Sequence, residues 1–485
     1  MFDLKNIFGK KAKKVLLSKE EIAEFIKIDP EALIKFEESY KNHVLGKKML
    51  SDNFFAINAK QIVEEKKKRL ISDITAEQGD INDIAKRIVA ELLDCSIIYA
   101  WDGKDAHLET FDILPEEYVP VSQEDLDKIP KAYRPELTGY LFKRDISEGA
   151  AGVLLYEYKS YLETPNMQLK KRLYGSFRQG LDILDLDPIT YKIIDKNVNS
   201  MGNWLPPLIG AVKKQQFFKV PATKILKVPL PLLQLTRLEY MELTPATLRI
   251  VDEFCYKAFE LDPQKEYFIK TGTYSSKFDF RNAHVVGERE VNELGEYLLF
   301  IHYQALCHAH YDLSGRNQPV IYGMSTTTEW VVREYIQPQP GTQEIYYGLP
   351  LRPEYRVFVD FDTDEILGIS PYWKPELMKQ RFGQSEDSNN PDKVHDYIIY
   401  SACEKELMKQ YVSNKDLVCK KIQNMLQDIR LSGQWSIDIM QNGSDFYIID
   451  MALAKDSALK ECVPEGLIRL QEEDWIPEIG GGNGQ

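Results

Sequence analysis

Short apolar runs with strand character alternate with helical patterns after about residue 205. Seven runs are rich in the β-branched and aromatic residues that favour strands: ATKILKV, EYFIKTG, EWVVREYI, EYRVFVDF, EILGISPYW, QWSIDIM and DFYIIDM. Helical spacing of apolar residues appears at 244–260, 288–310, 395–413 and 415–431. This mixture of strands and helices predicts an α+β fold.

The first 200 residues have a different pattern. SKEEIAEFIK, from Ser18, and DINDIAKRIVAELLD, from Asp80, each follow a candidate N-cap with apolar residues at helical spacing. We therefore predict a mainly helical N-terminal region over residues 1–204.

The pair Pro206-Pro207 should break any helix and marks a candidate domain boundary. The second domain is accordingly predicted over residues 205–479. The glycine-rich end of the sequence, residues 480–485, has nothing to bury and is expected to be disordered.

Composition narrows the class of protein. A chain of 485 residues is long for one hydrophobic core. Its net charge of -14 argues against a non-specific nucleic-acid binder, so no nucleic-acid partner is expected. Six scattered cysteines without a C-x-x-C pair suit reduced thiols. Without an 18-residue apolar run or a signal-peptide pattern, we expect no membrane partner and a cytoplasmic location.

Polar residues interrupt the apolar strands in four places. In EYFIKTGTYSSKF, Lys270 ends a strand and is followed by small residues. Small residues let backbone N–H groups approach phosphate oxygens, and the ammonium adds charge. In WVVREYIQP, Arg333 and Glu334 interrupt a run that leads to an extended linker able to offer backbone groups to an adenine edge. A solvated lysine and an edge strand with a surface ion pair are the alternatives.

The third and fourth places lie in the last strands. Glu354, Arg356 and Phe358 share one face by the period of two, and a strand arginine can hold a phosphoryl group or form a cross-strand salt bridge. Asp438 and Asp450 lie in the two arms of a hairpin whose turn signal is Asn-Gly. Because carboxylates in adjacent buried strands repel one another, this pattern favours a divalent cation between them.

Taken in order, these motifs resemble the ATP-grasp superfamily. The family has a phosphate-binding lysine, a hinge glutamate with an apolar linker, a strand arginine and two acidic metal ligands on a final hairpin. In this sequence those positions are Lys270, Glu334 with Ile336, Arg356, and Asp438 with Asp450. The segments WVVREYI, EYRVFVDFDTDEILGIS, WSIDIM and FYIIDM look most like the branch that contains a eukaryotic assembly factor for a translation initiation complex and its bacterial and phage relatives.

The resemblance covers about residues 205–465 and implies two α+β lobes that bind ATP and Mg²⁺. It implies an ATP-dependent ligase, in which a carboxylate substrate is activated as an acylphosphate and captured by an amine or another nucleophile. Arg356 would stabilise the transferring phosphoryl group. The alternatives are an assembly factor or chaperone that binds ATP and a protein partner with little turnover, and a phosphotransferase that ligates nothing.

The sequence departs from the family pattern after the second acidic position. The family usually has Asn two residues later, whereas this chain has Ala452. We therefore expect one well-held Mg²⁺, and a second that is weak or is completed by Asp456 or Ser457. The long separation between Lys270 and Glu334 suggests an insertion near 287–325. Three residues are candidates for the first lysine of the family: Lys213, Lys214 and Lys224.

The last hairpin must place both carboxylates on one face if they share a metal ion. A two-residue Asn442-Gly443 turn would put Asp438 and Asp450 on opposite faces. We therefore expect an odd loop or a bulge, which would pair Asp438 with Ile448 and leave Asp450 diagonal to it, at roughly 7–8 Å.

A group of possible metal ligands occurs in one helical segment: His302, Cys307, His308, His310 and Asp312. His308 and His310 point apart on a helix, so a packed helix is favoured over a zinc site.

Overall fold

A computed structural model describes the fold of residues 81–94, 96–112, 194–195, 197–236, 243, 245–313, 327–383 and 393–469. Its helices are α1 Ile81–Asp94, α2 Met201–Gln215, α3 Leu230–Leu235, α4 Pro245–Ala258, α5 Gly287–Asn292, α6 Leu294–Leu313, α7 Pro375–Arg381 and α8 Val394–Gln423. Its strands are β1 Ile97–Trp101, β2 Ala106–Thr110, β3 Phe218–Lys219, β4 Thr223–Lys227, β5 Tyr267–Thr271, β6 His284–Val285, β7 Glu329–Glu334, β8 Glu344–Ile345, β9 Leu349–Pro350, β10 Glu354–Asp360, β11 Glu365–Pro371, β12 Gln434–Asn442 and β13 Asp445–Leu453. Helices and largely antiparallel sheets occur together, which confirms the predicted α+β class.

The first sheet has six strands in the order β2-β1-β4-β7-β5-β6, and every neighbouring pair is antiparallel. Alternation along β7 separates its two faces. Trp330 and Val332 pack into the core formed with α1, α4 and α6, while Val331 points to the opposite face. Strand β7 lies in the interior of this sheet, so both of its edges are hydrogen-bonded.

The second sheet has five strands in the order β11-β10-β12-β13-β3, and only the β13–β3 pair is parallel. The apolar residues of its inner strands, such as Val357 and Ile437, pack with α2 and α8 in the same core cluster that contains Val331. One continuous core therefore connects the two sheets. All seven strands predicted from residue 205 onward are present, as β4, β5, β7 and β10 to β13.

The prediction that Pro206-Pro207 breaks a helix is wrong. Both prolines lie inside α2, which continues to Gln215. The cost of the missing backbone donors is outweighed by packing, because Trp204 and Leu208 on either side of the pair are fully buried between the sheets.

The first sheet also crosses the predicted boundary between residues 204 and 205. Strand β1 pairs with β4 over Ile98 to Trp101, and β2 extends the sheet by one more strand. The described part of the N-terminal region thus contains the predicted helix α1, a hairpin that belongs to the first sheet, and the start of α2. The remaining predictions for residues 1–80 and 480–485 lie outside the described residues.

The helix predictions are confirmed with two changes. The predicted helix at 244–260 is α4, and the one at 288–310 is two helices, α5 and α6, separated at Glu293. The segments 395–413 and 415–431 form mainly one 30-residue helix, α8, instead of two. Asn414 lies at the predicted break, where its side-chain amide donates hydrogen bonds to the Gln410 carbonyl and to Gln441 and the helix continues.

Several further expectations concern the described residues alone. No helix among them is long and apolar enough to cross a membrane. Five cysteines in the described ranges are free thiols, in agreement with their scatter: Cys255, Cys307, Cys403, Cys419 and Cys462. His302 is buried and accepts a hydrogen bond from Trp330 Nε1 at 3.2 Å, which suits a packed helix, and no group of three metal-ligand side chains is found in the described part of the chain.

Glu329 is a buried carboxyl group at the start of β7. Its Oε2 accepts a hydrogen bond of 2.9 Å from the backbone N–H of Gly202, in the first turn of α2. A Cβ on Gly272 would lie 2.6 Å from the same oxygen, and one on Gly202 would overlap the carboxyl group from the other side. These two glycines therefore leave the space that Glu329 occupies. Burial raises the pKa of Glu329 to about 7, against the opposing effect of Lys227.

We predict that Glu329→Gln reduces the pH dependence of folding stability. The folded pKa of about 7 lies above the ordinary value of 4.5, so the folded chain holds the extra proton. The stability that this proton contributes is present below pH 4.5 and is lost as the pH rises through 7. As the pH rises from 4.5 to 8, the wild type loses this contribution and the variant does not. The free energy of unfolding of the variant minus that of the wild type should therefore rise by roughly 3 kcal/mol, at about 1.4 kcal/mol per pKa unit.

Urea denaturation across this pH range measures the effect. The exposed Glu288, changed to Gln, is the matched control and should keep the wild-type profile. Parallel profiles for Glu329→Gln and the wild type would show that Glu329 does not hold the proton.

Candidate functional site

A cavity between the two sheets, called the cleft below, receives side chains from both. Five of the six predicted site residues line it: Lys270, Glu334, Ile336, Asp438 and Asp450. The sixth, Arg356, contacts one of these residues, Asp438. The fold thus brings together residues that are separated by up to 180 positions in the chain.

Lys270 reaches the cleft from β5 of the first sheet. Its register partner is Val331, so its side chain lies on the sheet face opposite to the helices. Its Nζ lies 3.1 Å from both carboxylate oxygens of Asp450, and the lysine side chain is 2% exposed. The turn that follows is closed by bonds between Thr271 and Tyr274. The interpretation as a solvated surface lysine is therefore wrong.

The hairpin β12–β13 contains the expected bulge, although the pairing differs from the prediction. The turn is the two-residue Gly443-Ser444, and Ile439 pairs with Ile448. Beyond that pair the register shifts, and Asp438 pairs directly with Asp450 instead of with Ile448.

The bulge determines which way Asp450 points. Before it, Phe446 and Ile448 face the core, and uninterrupted alternation would bring Asp450 to the same face. The extra residue, Ile449, changes the alternation, so that Met451 faces the core and Asp450 faces the cleft. One inserted residue therefore brings the two carboxylates to one face.

Asp438 is held by Arg356 on the neighbouring strand β10. Arg356 Nε and Nη2 donate to the two carboxylate oxygens at 2.7 and 2.6 Å, which is a bidentate pair. The side chains of Arg356 and Asp438 are only 13% and 8% exposed. Each predicted metal-ligand carboxylate thus has a cationic partner, since Lys270 pairs with Asp450 and Arg356 with Asp438.

Arg333 is buried in the interior strand β7, so the expectation of an edge strand with a surface ion pair is wrong. Its Nε donates to Thr223 Oγ1, and its Nη1 donates at 2.7 Å to the carbonyl of Ile449, the bulge residue. Its Nη2 is buried and has no hydrogen-bond partner among the described residues. Burial lowers the pKa of Arg333 to about 10, so the group stays protonated at neutral pH.

The hinge segment follows β7. The backbone N–H of Glu334 donates to the Ala222 carbonyl, and that of Tyr335 donates to the Glu266 carbonyl. The carbonyl of Ile336 accepts a 2.6 Å hydrogen bond from Arg352 Nη2. The linker is therefore fixed on both sides before it enters the second sheet.

Sequence reasoning missed two cations of the cleft, Lys277 and Arg352. Lys277 is half-buried, and its Nζ lies 3.8 Å from the centre of the Tyr372 ring. Burial acts against the charge of Lys277, but Tyr372, Glu354 and Asp438 outweigh it and raise the pKa of Lys277. In the described chain no carboxylate lies within 4.0 Å of the charged atoms of Lys277, Arg333 or Arg352.

Signals for both cations exist in the sequence. Lys277 ends the same small-residue segment that begins at Lys270. The period-two pattern of Glu354 and Arg356 reaches Arg352 when it is extended backwards by one step. Glu354 itself lines the cleft, and burial raises its pKa to about 7.

The candidates for the first lysine of the family lie outside the cleft. The three candidates for a first lysine do not line the cleft and form ion pairs away from it: Lys213 with Asp105, Lys214 with Asp428, and Lys224 with Glu109 and Glu260.

The oxygens considered as substitutes for a ligand at position 452 have protein partners. Asp456 accepts a hydrogen bond from Asn199, and the Ser457 hydroxyl lies 2.7 Å from that of Ser436. Ala452 pairs in register with Ser436. A second metal ion at this position remains a prediction.

Comparison with known proteins gives only weak similarity. No protein family and no curated protein matches the chain. Among solved structures, Cdc123 from Schizosaccharomyces pombe matches with 12% identity and a TM-score of 0.31, over 54% of this chain and 86% of that one. A C-terminally truncated form of the same protein matches with 12% identity and a TM-score of 0.29, over 50% and 81%. Similarity at this level establishes neither a shared fold nor a shared function.

We predict that Arg356→Met strongly destabilises the fold because it leaves the carboxylate of Asp438 buried and unpaired. The expected loss in free energy of unfolding is about 3–5 kcal/mol. The double variant Arg356→Met with Asp438→Asn removes both charges and should recover most of this loss. Urea denaturation of the two variants and the wild type measures it.

An exposed pair provides the control. Arg289 bonds Glu293 at 3.2 Å with its side chain 86% exposed, and Arg289→Met should leave the free energy of unfolding nearly unchanged. If the double variant is as unstable as Arg356→Met alone, the unpaired charge is not the cause.

Proposed function

We propose that the cleft binds ATP with Mg²⁺. The observation that carries this proposal is a pair of guanidinium donors, Arg333 Nη2 and Arg352 Nε, which are buried at the cleft and lack an acceptor among the described residues. An unsatisfied buried donor costs about 1–3 kcal/mol, so these groups call for a ligand rich in acceptors. Phosphate oxygens and the ring nitrogens of a base are both acceptors that a guanidinium donor can use, and a nucleotide carries both.

The lining of the cleft includes both charged and apolar side chains, which suits a nucleotide. The charged side chains include Lys270, Lys277 and Asp450. The apolar side chains include Phe268 and Met440. A ligand with a flat ring at one end and a polyanion at the other matches both kinds of side chain. A phosphate ion alone would leave the apolar side chains without a partner.

The two carboxylates fit a magnesium site. Asp438 and Asp450 are direct cross-strand neighbours that point to one face, and Mg²⁺ prefers one or two carboxylates together with phosphate oxygens. Their present partners, Arg356 and Lys270, are the cations expected to turn to phosphate oxygens when the metal takes the carboxylates. Binding of Mg²⁺ and of the triphosphate would therefore be an exchange of ion pairs within the cleft.

ATP, when bound, supplies a phosphoryl group that can activate a carboxylate substrate. In the ligase proposal, Arg356 stabilises the charge of the transferring group, Lys270 and Lys277 hold phosphate oxygens, and the backbone of Glu334 and Ile336 orients the base.

Two features favour the alternative, a protein that binds ATP for assembly of a partner and turns it over slowly. Arg356 makes a bidentate pair with Asp438, which must be broken before the guanidinium can reach a phosphoryl group. Ala452 also offers no oxygen to a second metal ion. Both proposals share the nucleotide site and differ in turnover.

We predict that Lys270→Met weakens Mg-ATP binding by about tenfold or more, because it removes a buried ammonium from the cleft. Calorimetric titration of the full chain with Mg-ATP measures the dissociation constant. Lys224→Met is the matched control, since Lys224 lies on β4 of the same sheet and pairs with Glu109 and Glu260 away from the cleft. Wild-type affinity in a folded Lys270→Met variant would remove Lys270 from the site.

We predict that Arg356→Lys lowers the rate of ADP formation by about 100-fold while the affinity for ATP changes by only a few fold. Lysine keeps a positive charge beside Asp438, so the fold is maintained, but it lacks the planar fork that suits a transferring phosphoryl group. Steady-state ADP release and ATP titration measure the two quantities separately.

The wild type decides between the two proposals in the same experiment. ATP binding without ADP formation, in the presence of candidate carboxylates and amines, would reject the ligase and leave the ATP-binding assembly protein. Equal losses of rate and affinity in Arg356→Lys would place Arg356 in ground-state binding instead.

A further inference from the structure

Arg352 lies in the lining of the cleft and is held there by contacts on two sides. Its Nη2 donates at 2.6 Å to the Ile336 carbonyl in the hinge segment, and its Nη1 lies 3.1 Å from Met440 Sδ on β12. Its own carbonyl accepts a 2.8 Å hydrogen bond from Trp373 Nε1. Backbone and side chain are both anchored, so the guanidinium has little freedom to seek another position.

The Nε–H of this group is buried without an acceptor among the described residues, and the whole of Arg352 is only 6% exposed. Arginine carries five N–H donors and no acceptor, so this N–H can be satisfied only by an acceptor that enters the cleft. The other two nitrogens contact Ile336 and Met440, and the buried carboxyl group of Glu354, which also lines the cleft, lies two residues further along the chain.

The surrounding surface selects the kind of group that carries the acceptor. Phe268, Phe280 and Ile449 line the same cleft as Arg352, and the rings of Phe268 and Phe280 lie 5.9 Å apart at an angle of 24°. Apolar and aromatic walls favour a flat ring over a phosphate or a carboxylate, whose desolvation here would be costly. An aromatic heterocycle with a ring nitrogen supplies both the flat surface and the acceptor.

From this juxtaposition we infer that Arg352 determines base specificity in the cleft by donating its Nε–H to a ring nitrogen of a purine base. The inference rests on the proposed nucleotide site and adds to it the residue that recognises the base. The unused donor of Arg333 is Nη2, and its Nη1 bonds the bulge carbonyl of Ile449. We assign this donor to the phosphates or the sugar of the nucleotide.

Deaza analogues of ATP test this inference. In 1-deaza-, 3-deaza- and 7-deaza-ATP one ring nitrogen is replaced by C–H, which removes a single acceptor and preserves the shape of the base. With the wild-type full chain and Mg²⁺, one analogue should bind about tenfold or more weakly than ATP, as expected for a lost hydrogen bond from a charged donor. The other two analogues should bind within a few fold of ATP.

The variant Arg352→Met, combined with the analogues, forms a double-mutant cycle between this side chain and the ring nitrogen. Methionine fills a similar apolar space without a donor, so the variant should bind ATP and the sensitive analogue equally and about as weakly as the wild type binds that analogue. Arg469→Met, in which the lost guanidinium is half exposed and bonds Asp360 and Asp362, is the control and should keep the wild-type preference.

The outcomes separate this inference from the proposed function. Tight ATP binding with no loss for any of the three analogues would overturn the role of Arg352 and leave the nucleotide site intact. A loss for one analogue that persists in Arg352→Met would assign the acceptor to another donor and would also overturn it. No binding of any nucleotide by the wild type would reject both. If Arg352→Met does not fold, the affinities of the wild type for the three analogues still show whether a protein donor bonds a ring nitrogen of the base.

Discussion

The fold depends on neutralising charges that are enclosed between two sheets. Lys270 reaches from the first sheet to Asp450 on the second, and Arg356 neutralises Asp438 on the adjoining strand. Lys270, Arg356 and Asp438 would each be costly to bury alone, whereas the Asp450 side chain is 38% exposed. Removing one member of a buried pair leaves its partner uncompensated. Such pairs are weak evidence for stability, because apolar residues of similar volume would pack as well. Their presence in the interior is better explained by a ligand that uses the same charges.

The bulge in the last hairpin connects this electrostatic arrangement to the backbone. Ile449 leaves the strand register, its carbonyl accepts a hydrogen bond from Arg333, and Asp450 turns from the core to the cleft. A single residue therefore sets the face of one carboxylate and holds a buried guanidinium of the other sheet. A strand of regular alternation would achieve neither, which gives the bulge a functional reason.

The sequence predicted the strands and their polar interruptions well, because alternation and β-branched composition are local properties. It also indicated that the hairpin needed an irregularity, since two carboxylates at that spacing would otherwise face opposite sides. It failed at Pro206-Pro207, where burial against two sheets outweighs a local helix-breaking preference. Lys277 and Arg352 were missed because their roles depend on where distant segments meet. The direct pairing of Asp438 with Asp450 was likewise beyond reach, because the position of a bulge is set by tertiary contacts such as that with Arg333.

The order of strands in the first sheet has a consequence for synthesis on the ribosome. Strands β2, β1 and β4 form one contiguous group and β5 with β6 another, and β7 is the strand that hydrogen-bonds to both. Since β7 ends at Glu334, the two groups have no common partner until about two-thirds of the chain has been made. Until then one edge each of β4 and β5 is open, and strands of this kind are prone to pairing with other chains.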